Sequence, residues 1–216
     1  MKKDLVELVF ILDRSGSMSG LEKDTIGGFN SLIEKQKAEE GEAFVTTVLF
    51  DDCYEMLHDH VNIKDVSPIT EKEYYPRGMT ALLDAVGRTV NKIGERLASV
   101  PEEERPEKVI IVITTDGMEN ASTEFTLDVV KKMIEYRQKE CSWTFMFLGA
   151  NMDAAEEAGN IGIDRMYART YTNNARGVGT VYSAMSESVT LMRRTSNYTS
   201  KKEQEEALKE ALDKVE

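Results

Sequence analysis

The stretch Leu5-Val6-Glu7-Leu8-Val9-Phe10-Ile11-Leu12, followed by Asp13-Arg14-Ser15-Gly16-Ser17, decides the fold. Apart from Glu7 its first eight residues are apolar, as expected of a strand buried on both faces of a parallel sheet. The strand ends in a carboxylate and a tight Ser/Gly turn, polar groups placed where α/β sheets form their ligand crevices. A second stretch has the same design: Val109-Ile110-Ile111-Val112-Ile113-Thr114-Thr115 runs into Asp116-Gly117. These two are read as the central strands.

Outward from them, residues 44–50 and 143–148 read as further inner strands, and 166–171, shorter and more polar, as an edge. The polar turn Asp51-Asp52-Cys53 folds residues 54–63 back antiparallel on their predecessor, a sixth strand at the other edge. Helical spacing fills the gaps: Ile26, Phe29 and Ile33; Leu82, Val86, Val90, Ile93 and Leu97; Leu127, Val130, Met133 and Ile134; Val178, Val181, Tyr182, Met185, Val189 and Met192. Residues 153–158 fit a short helix. Strands alternating with helices predict a doubly wound, Rossmann-like α/β domain with a mostly parallel central sheet and helices on both faces. Ser200-Lys201-Lys202-Glu203 reads as a capping box opening a last amphipathic helix with Leu208, Ala211, Leu212 and Val215 on its apolar stripe. The expected division is a domain over 1–196 and a helical extension over 197–216, which either docks on the domain or awaits a partner.

Composition narrows the function classes. A chain of 216 residues with 41% hydrophobic and 31% charged positions is neither disordered nor fibrous, and fits one globular core. With 27 basic against 39 acidic residues its charge is −12, which argues against a nucleic-acid partner, since such proteins gather Lys and Arg on a face. The longest apolar run, about eight residues, is far short of the roughly 20 of a membrane-spanning helix, so no membrane role is expected. Glu7, and the lack of a small-residue cleavage site, set the first run apart from a secretory signal. Cys53 and Cys141 imply no disulfide framework, are expected to be inert buried or half-buried thiols, and fit a cytoplasmic location. The glycosylation-like triplets at Asn120 and Asn197 are taken as chance.

The chemistry gathers where the central strands end. Asp13, Ser15 and Ser17 follow the first, Asp116 ends the other, and Thr80 lies just before the helix that starts near Leu82. Five oxygen donors then converge if the two strands are neighbours. Carboxylates and hydroxyls without His or Cys are hard ligands, suited to Mg²⁺, with Mn²⁺ or Ca²⁺ as alternatives, rather than to Zn²⁺ or Cu²⁺. Where neutral hydroxyls bind directly and the carboxylates act partly through water, the ion keeps positive charge and an open position for a partner's carboxylate. Singly each motif has a plainer use: Ser15 and Ser17 as helix caps, Asp116-Gly117 as a turn.

Taken jointly they resemble the von Willebrand factor type A domains of the intracellular prokaryotic kind, with a complete metal-ion-dependent adhesion site. The family's Asp-x-Ser-x-Ser is matched by Asp13, Ser15 and Ser17, its lone threonine by Thr80, and its second aspartate, in a Thr-Asp-Gly context, by Asp116, in the same order. The resemblance runs from residue 5 to residue 194. It implies sheet order 3-2-1-4-5-6 with the third strand antiparallel at an edge. It also implies that Ser15, Ser17 and Thr80 are direct or switchable ligands, that Asp13 and Asp116 act largely through water, and that an Asp or Glu side chain of a partner protein completes the shell. Met79 departs from the pattern, standing where members often carry glycine. The implied function is divalent-cation-dependent protein binding without catalysis.

The alternative is a Mg²⁺- or Mn²⁺-dependent phosphatase or phosphoryl-transfer enzyme, since Asp-rich switch-point sites also serve that chemistry. The sequence offers no phosphate-cradling glycine loop for it and only two histidines as general bases. A dinucleotide-binding reading lacks its glycine fingerprint after the first strand. His58 and His60 alternate on the edge strand and would share one face, exposed or holding a transition metal. Met18 and Met79 either rim the site or pack inward, and Tyr74-Tyr75-Pro76-Arg77 forms either a contact surface or a loop packed on itself.

Overall fold

The long apolar run becomes β1 (Lys2–Asp13), and from Leu5 onward every residue of it is buried, as a strand covered on both faces requires. The computed structural model describes residues 1–194 and 201–214. After β1 come α1 (Glu22–Lys37), β2 (Glu42–Phe50), β3 (Tyr54–Asn62), α2 (Leu82–Ser99), β4 (Pro106–Thr115), α3 (Leu127–Cys141), β5 (Thr144–Ala150), α4 (Ala154–Asn160), β6 (Ala168–Tyr171), α5 (Ala175–Arg193) and α6 (Lys201–Leu212). The six strands form one sheet in the order 3-2-1-4-5-6, with β3 antiparallel to β2 and every other pair parallel. Fold class and topology are as the sequence implied. No helix among the described residues is long and apolar enough to cross a membrane.

Alternation along β1 builds the two layers. Val6, Leu8, Phe10 and Leu12 pack with Phe29 and Leu32 of α1 and with Val181 and Met185 of α5; Phe10 and Phe29 meet edge-on at 5.5 Å. Val9 and Ile11 face the opposite layer, with Val86 and Val90 of α2 and Val130 and Ile134 of α3. Met18 belongs to the first layer and is 4% exposed, so it packs inward. α6 docks on its own domain: Leu208, Ala211 and Leu212 are buried, and Asp213 accepts from Arg169 at 2.6 Å. Ser200, Val215, Asn197 and the expected boundary at 196/197 lie outside the described residues.

Glu7, the interruption in the strand, is fully buried yet paired. Its carboxylate accepts from Arg96 Nη2 at 2.6 Å and Thr46 Oγ1 at 2.9 Å and sits 2.7 Å from His60 Nδ1, as a buried charge requires. This corrects the expected histidine pair. The register of β2 against β3 slips between Val45 and Thr47, and His60 has φ +54°. Its ring stacks on Phe44 at 4.0 Å on the Glu7 side, whereas His58 lies by the Ser67 backbone and Glu73. The bulge breaks the alternation that would have put both imidazoles on one face. The thiol expectation also changes: Cys141 is half-buried, but Cys53 is exposed, because the side chain it carries in the β2–β3 turn is turned to solvent.

Gly28 lies against α5, since a Cβ there would stand 2.6 Å from ring carbons of Tyr182. Gly28→Val is expected to overpack this contact at a cost of about 1–3 kcal/mol, lowering the melting temperature by about 2–12 °C in a thermal unfolding scan.

Candidate metal centre

β1 and β4 are adjacent and in parallel register, Leu12 opposite Thr114, so Asp13 and the Thr115–Asp116 end of β4 reach the same sheet edge. The chain leaves β1 through α1 toward β2 on one side while β4 flanks it on the other, which opens a crevice between the two connections. Asp13 is held from several directions. Its Oδ1 accepts from the Ser15 backbone N–H at 2.6 Å, its Oδ2 from Thr115 Oγ1 at 2.6 Å, and its carbonyl from the Tyr74 hydroxyl at 2.7 Å.

The hydroxyls are not used as helix caps. Ser15 precedes a single 3₁₀ turn, Gly16–Met18, and makes no side-chain capping bond; α1 opens later, after Leu21. Ser15 Oγ lies 3.0 Å from Ser17 Oγ, which donates to Asp116 Oδ1 at 2.5 Å. Thr80 does not cap α2 either: the Leu83 amide donates to Glu119 Oε2 at 2.8 Å and the Asp84 amide to Ser122 Oγ at 3.0 Å. Thr80 instead turns toward Gly117, where a Cβ would lie 2.5 Å from Thr80 Oγ1 and 3.5 Å from Ser17 Oγ. Only glycine allows the three motifs to meet so closely. The structure thus brings together Asp13, Ser15, Ser17, Thr80 and Asp116.

Beneath them lies a group that sequence reasoning missed. Arg14, fully buried, donates from Nε to Asp51 Oδ2 at 3.0 Å and pairs through Nη1 with Glu55 at 2.8 Å. Arg77 Nε donates to the same Asp51 oxygen at 2.7 Å, and the Cys53 amide donates to the other at 2.6 Å. Backbone bonds follow this core: Arg77 N–H to Arg14 carbonyl at 2.9 Å, Gly16 to Gly78 at 3.2 Å, and Ala81 to Asp51 at 2.9 Å. The turns after β1 and β2 and the loop before α2 are therefore joined. Burial alone would raise the Asp51 pKa, but the Arg77 bond, the Cys53 amide and the two guanidinium charges hold it below its usual value. Asp51, Asp52 and Cys53 also place ligand atoms within 4.8 Å of one another, yet the Asp51 carboxylate is already committed to two guanidiniums. The Tyr74–Arg77 run divides: Tyr74 packs inward on Asp13, while Tyr75 is 41% exposed, its ring 5.4 Å from the Arg14 guanidinium carbon and 5.1 Å from that of Arg77.

The electrostatics fit a cation. Burial pushes Asp13 up to about 6, against the opposing bonds from Thr115 and Ser15, and nearby Asp116 adds to the rise. Burial likewise raises Asp116, despite the Ser17 and Asn173 bonds. Two carboxylates are thus held close together where their charged forms are disfavoured. Asn173, in the loop after β6, donates through Nδ2 to Asp116 Oδ2 at 2.8 Å, while its buried Oδ1 has no partner. A water in a cation's shell would supply the missing donor. Asn173 also escaped sequence reading; its place just past a strand's C-terminal end was the available signal.

No protein-family model and no curated protein matches the chain, but solved structures do. The von Willebrand domain of the type V pili tip protein Mfa5 from Porphyromonas gingivalis aligns with a TM-score of 0.61 at 12% identity, covering 87% of this chain and 95% of that one. Proximal thread matrix protein 1 from the mussel byssus gives 0.56 at 15%, covering 86% and 47%. A von Willebrand factor type A protein from Catenulispora acidiphila gives 0.57 at 15%, covering 85% and 42%. The chain spans less than half the length of the latter two. It has the von Willebrand factor type A fold.

A raised acid pKa favours the protonated folded state. The resulting stability is full below the unfolded value of 3.8 and is lost as pH rises through about 6. For Asp13 this amounts to about 3 kcal/mol. Chelator-treated protein should therefore lose melting temperature between about pH 4 and pH 6.5 relative to Asp13→Asn, which lacks the titrating group; equal slopes for the two proteins would contradict the assignment.

Proposed function

We propose that Asp13, Ser15, Ser17, Thr80 and Asp116 hold one divalent cation, Mg²⁺ by preference, and that the ion captures an Asp or Glu side chain of a partner protein. The observation that carries this reading is the placement of Ser17 Oγ, 3.0 Å from Ser15 Oγ and 2.5 Å from Asp116 Oδ1. It joins oxygens of two loops that are distant in sequence and serve no helix cap. Three hydroxyls and two carboxylates form a hard donor set. With the carboxylates acting mainly through water, the bound ion supplies an electrophilic position for an external carboxylate. Thr115, Tyr74 and Asn173 orient the acids, and the Arg14–Asp51–Arg77 core fixes the loops. Metal-dependent adhesion and protein interaction fit the company of the fold. Mfa5 is a pilus tip protein, and the mussel protein, at 16% identity, has been solved with a zinc-occupied metal-ion-dependent adhesion site motif. On this reading the protein binds rather than catalyses, and its two unpaired thiols suit the cytoplasm.

Calorimetry and thermal melting with Mg²⁺, Mn²⁺, Ca²⁺ and Zn²⁺ test the reading. The expected outcome is one ion per chain, with stability rising by about 2.7 kcal/mol at a hundredfold excess over Kd. Asp13→Ala should bind none. Ion binding should also remove the loss of stability between about pH 4 and 6.5, because the cation favours the ionised acids. Unchanged melting of the wild type at millimolar ion would remove the proposal.

A further inference from the structure

Two of the seven large apolar side chains exposed among the described residues stand on the loops that carry Thr80 and Asp116. Met79 is 56% exposed and Met118 70%. Met79 precedes Thr80, and Met118 follows Gly117. The two loops are clipped together, Thr80 N–H to Asn120 Oδ1 and Asn120 N–H to Thr80 carbonyl, both at 3.0 Å. Neither methionine belongs to a core layer, so folding does not require an apolar side chain at 79 or 118. Exposed apolar groups around a polar centre mark a contact surface, and methionine adapts to varied apolar shapes. The chain itself carries 39 acidic residues, so capture of a bare carboxylate would discriminate poorly. A rim that reads the neighbours of the acid supplies the missing specificity.

The same molecule presents a matching segment. At the start of α3, Leu127 and Val129 are each 45% exposed and flank the exposed Asp128. Among the described residues no other acid has an exposed large apolar neighbour on both sides. α3 follows β4, so its first turn lies at the sheet edge where the five oxygens gather. The segment before it is anchored to α2, where the Asp84 carboxylate accepts from the Thr123, Glu124 and Phe125 amides at 2.8–2.9 Å.

We infer that a second copy of this chain is a ligand of the site: Asp128 of each copy reaches the ion of the other, with Leu127 and Val129 laid against Met79 and Met118. This rests on the cation reading above. Because ligand and receptor surfaces share one end of the molecule, two copies facing each other about a two-fold axis exchange Asp128 reciprocally and close the assembly as a dimer. The charge of −12 on each copy opposes the contact, so the dimer is weak and metal-dependent.

Sedimentation of the full chain in Mg²⁺ and in chelator, alongside calorimetric ion binding, tests the inference. The expected result is a Mg²⁺-dependent dimer that Asp128→Asn abolishes while still binding one ion and melting as the wild type does. Met79→Ser/Met118→Ser should keep the ion and weaken dimerisation by about tenfold to a hundredfold, from the apolar area no longer buried. A monomer that binds the ion overturns the dimer and leaves the cation reading intact, and so does a dimer indifferent to Mg²⁺ or to Asp128→Asn. A chain that binds no ion removes both.

Discussion

The site depends first on the buried Arg14–Asp51 pair, which exposed Arg77 caps from the surface. A guanidinium with no exposed surface needs carboxylates and carbonyls to receive it, and here Asp51 takes Nε and Glu55 and the Glu73 carbonyl take Nη1, while Nη2 has no hydrogen-bond partner. Because Asp51 opens the turn after β2 and Arg77 lies on the approach to α2, one carboxylate sets three backbone segments relative to one another. Removing one partner from such a group leaves an uncompensated buried charge, a larger loss than the pair's own net contribution. The group therefore acts as a geometric constraint on the turns more than as a store of stability.

Above that base the site is locally unfavourable in a way that suits a ligand. Asp13 and Asp116 are pushed toward protonation by burial and, for Asp13, by its neighbour. Buried Asn173 Oδ1 lacks a donor. Folding by itself would select against this combination. Its presence at a topological switch point, on a scaffold where a buried acid such as Glu7 is paired with Arg96, Thr46 and His60, separates the part of the molecule shaped for binding from the part shaped for stability.

The apolar surface follows the same division. Most large hydrophobic side chains enter one of the two layers beside the sheet. Those left outside include Met79 and Met118 on the loops that carry Thr80 and Asp116, and Leu127 and Val129 at the start of α3. Exposed methionines beside a set of hard oxygen ligands combine a directional contact with an adaptable one, and so join capture of an acid to recognition of its surroundings.

The local pattern alone determined the two central strands, the alternation with helices, and the five oxygen donors, since continuous apolar runs and polar strand ends are written in consecutive residues. Even Glu7 was visible as an interruption, though not its partners. Other features were settled by tertiary structure. His58 and His60 part company through a bulge and a positive φ that no alternation rule contains. Arg14, Asp51, Arg77 and Asn173 lie far apart in sequence, and their roles arise only when β1, β2, β4 and β6 end at one edge. Motif spacing records which groups each loop carries, but which charge is buried against which depends on distances between loops, and only the packed sheet sets those distances.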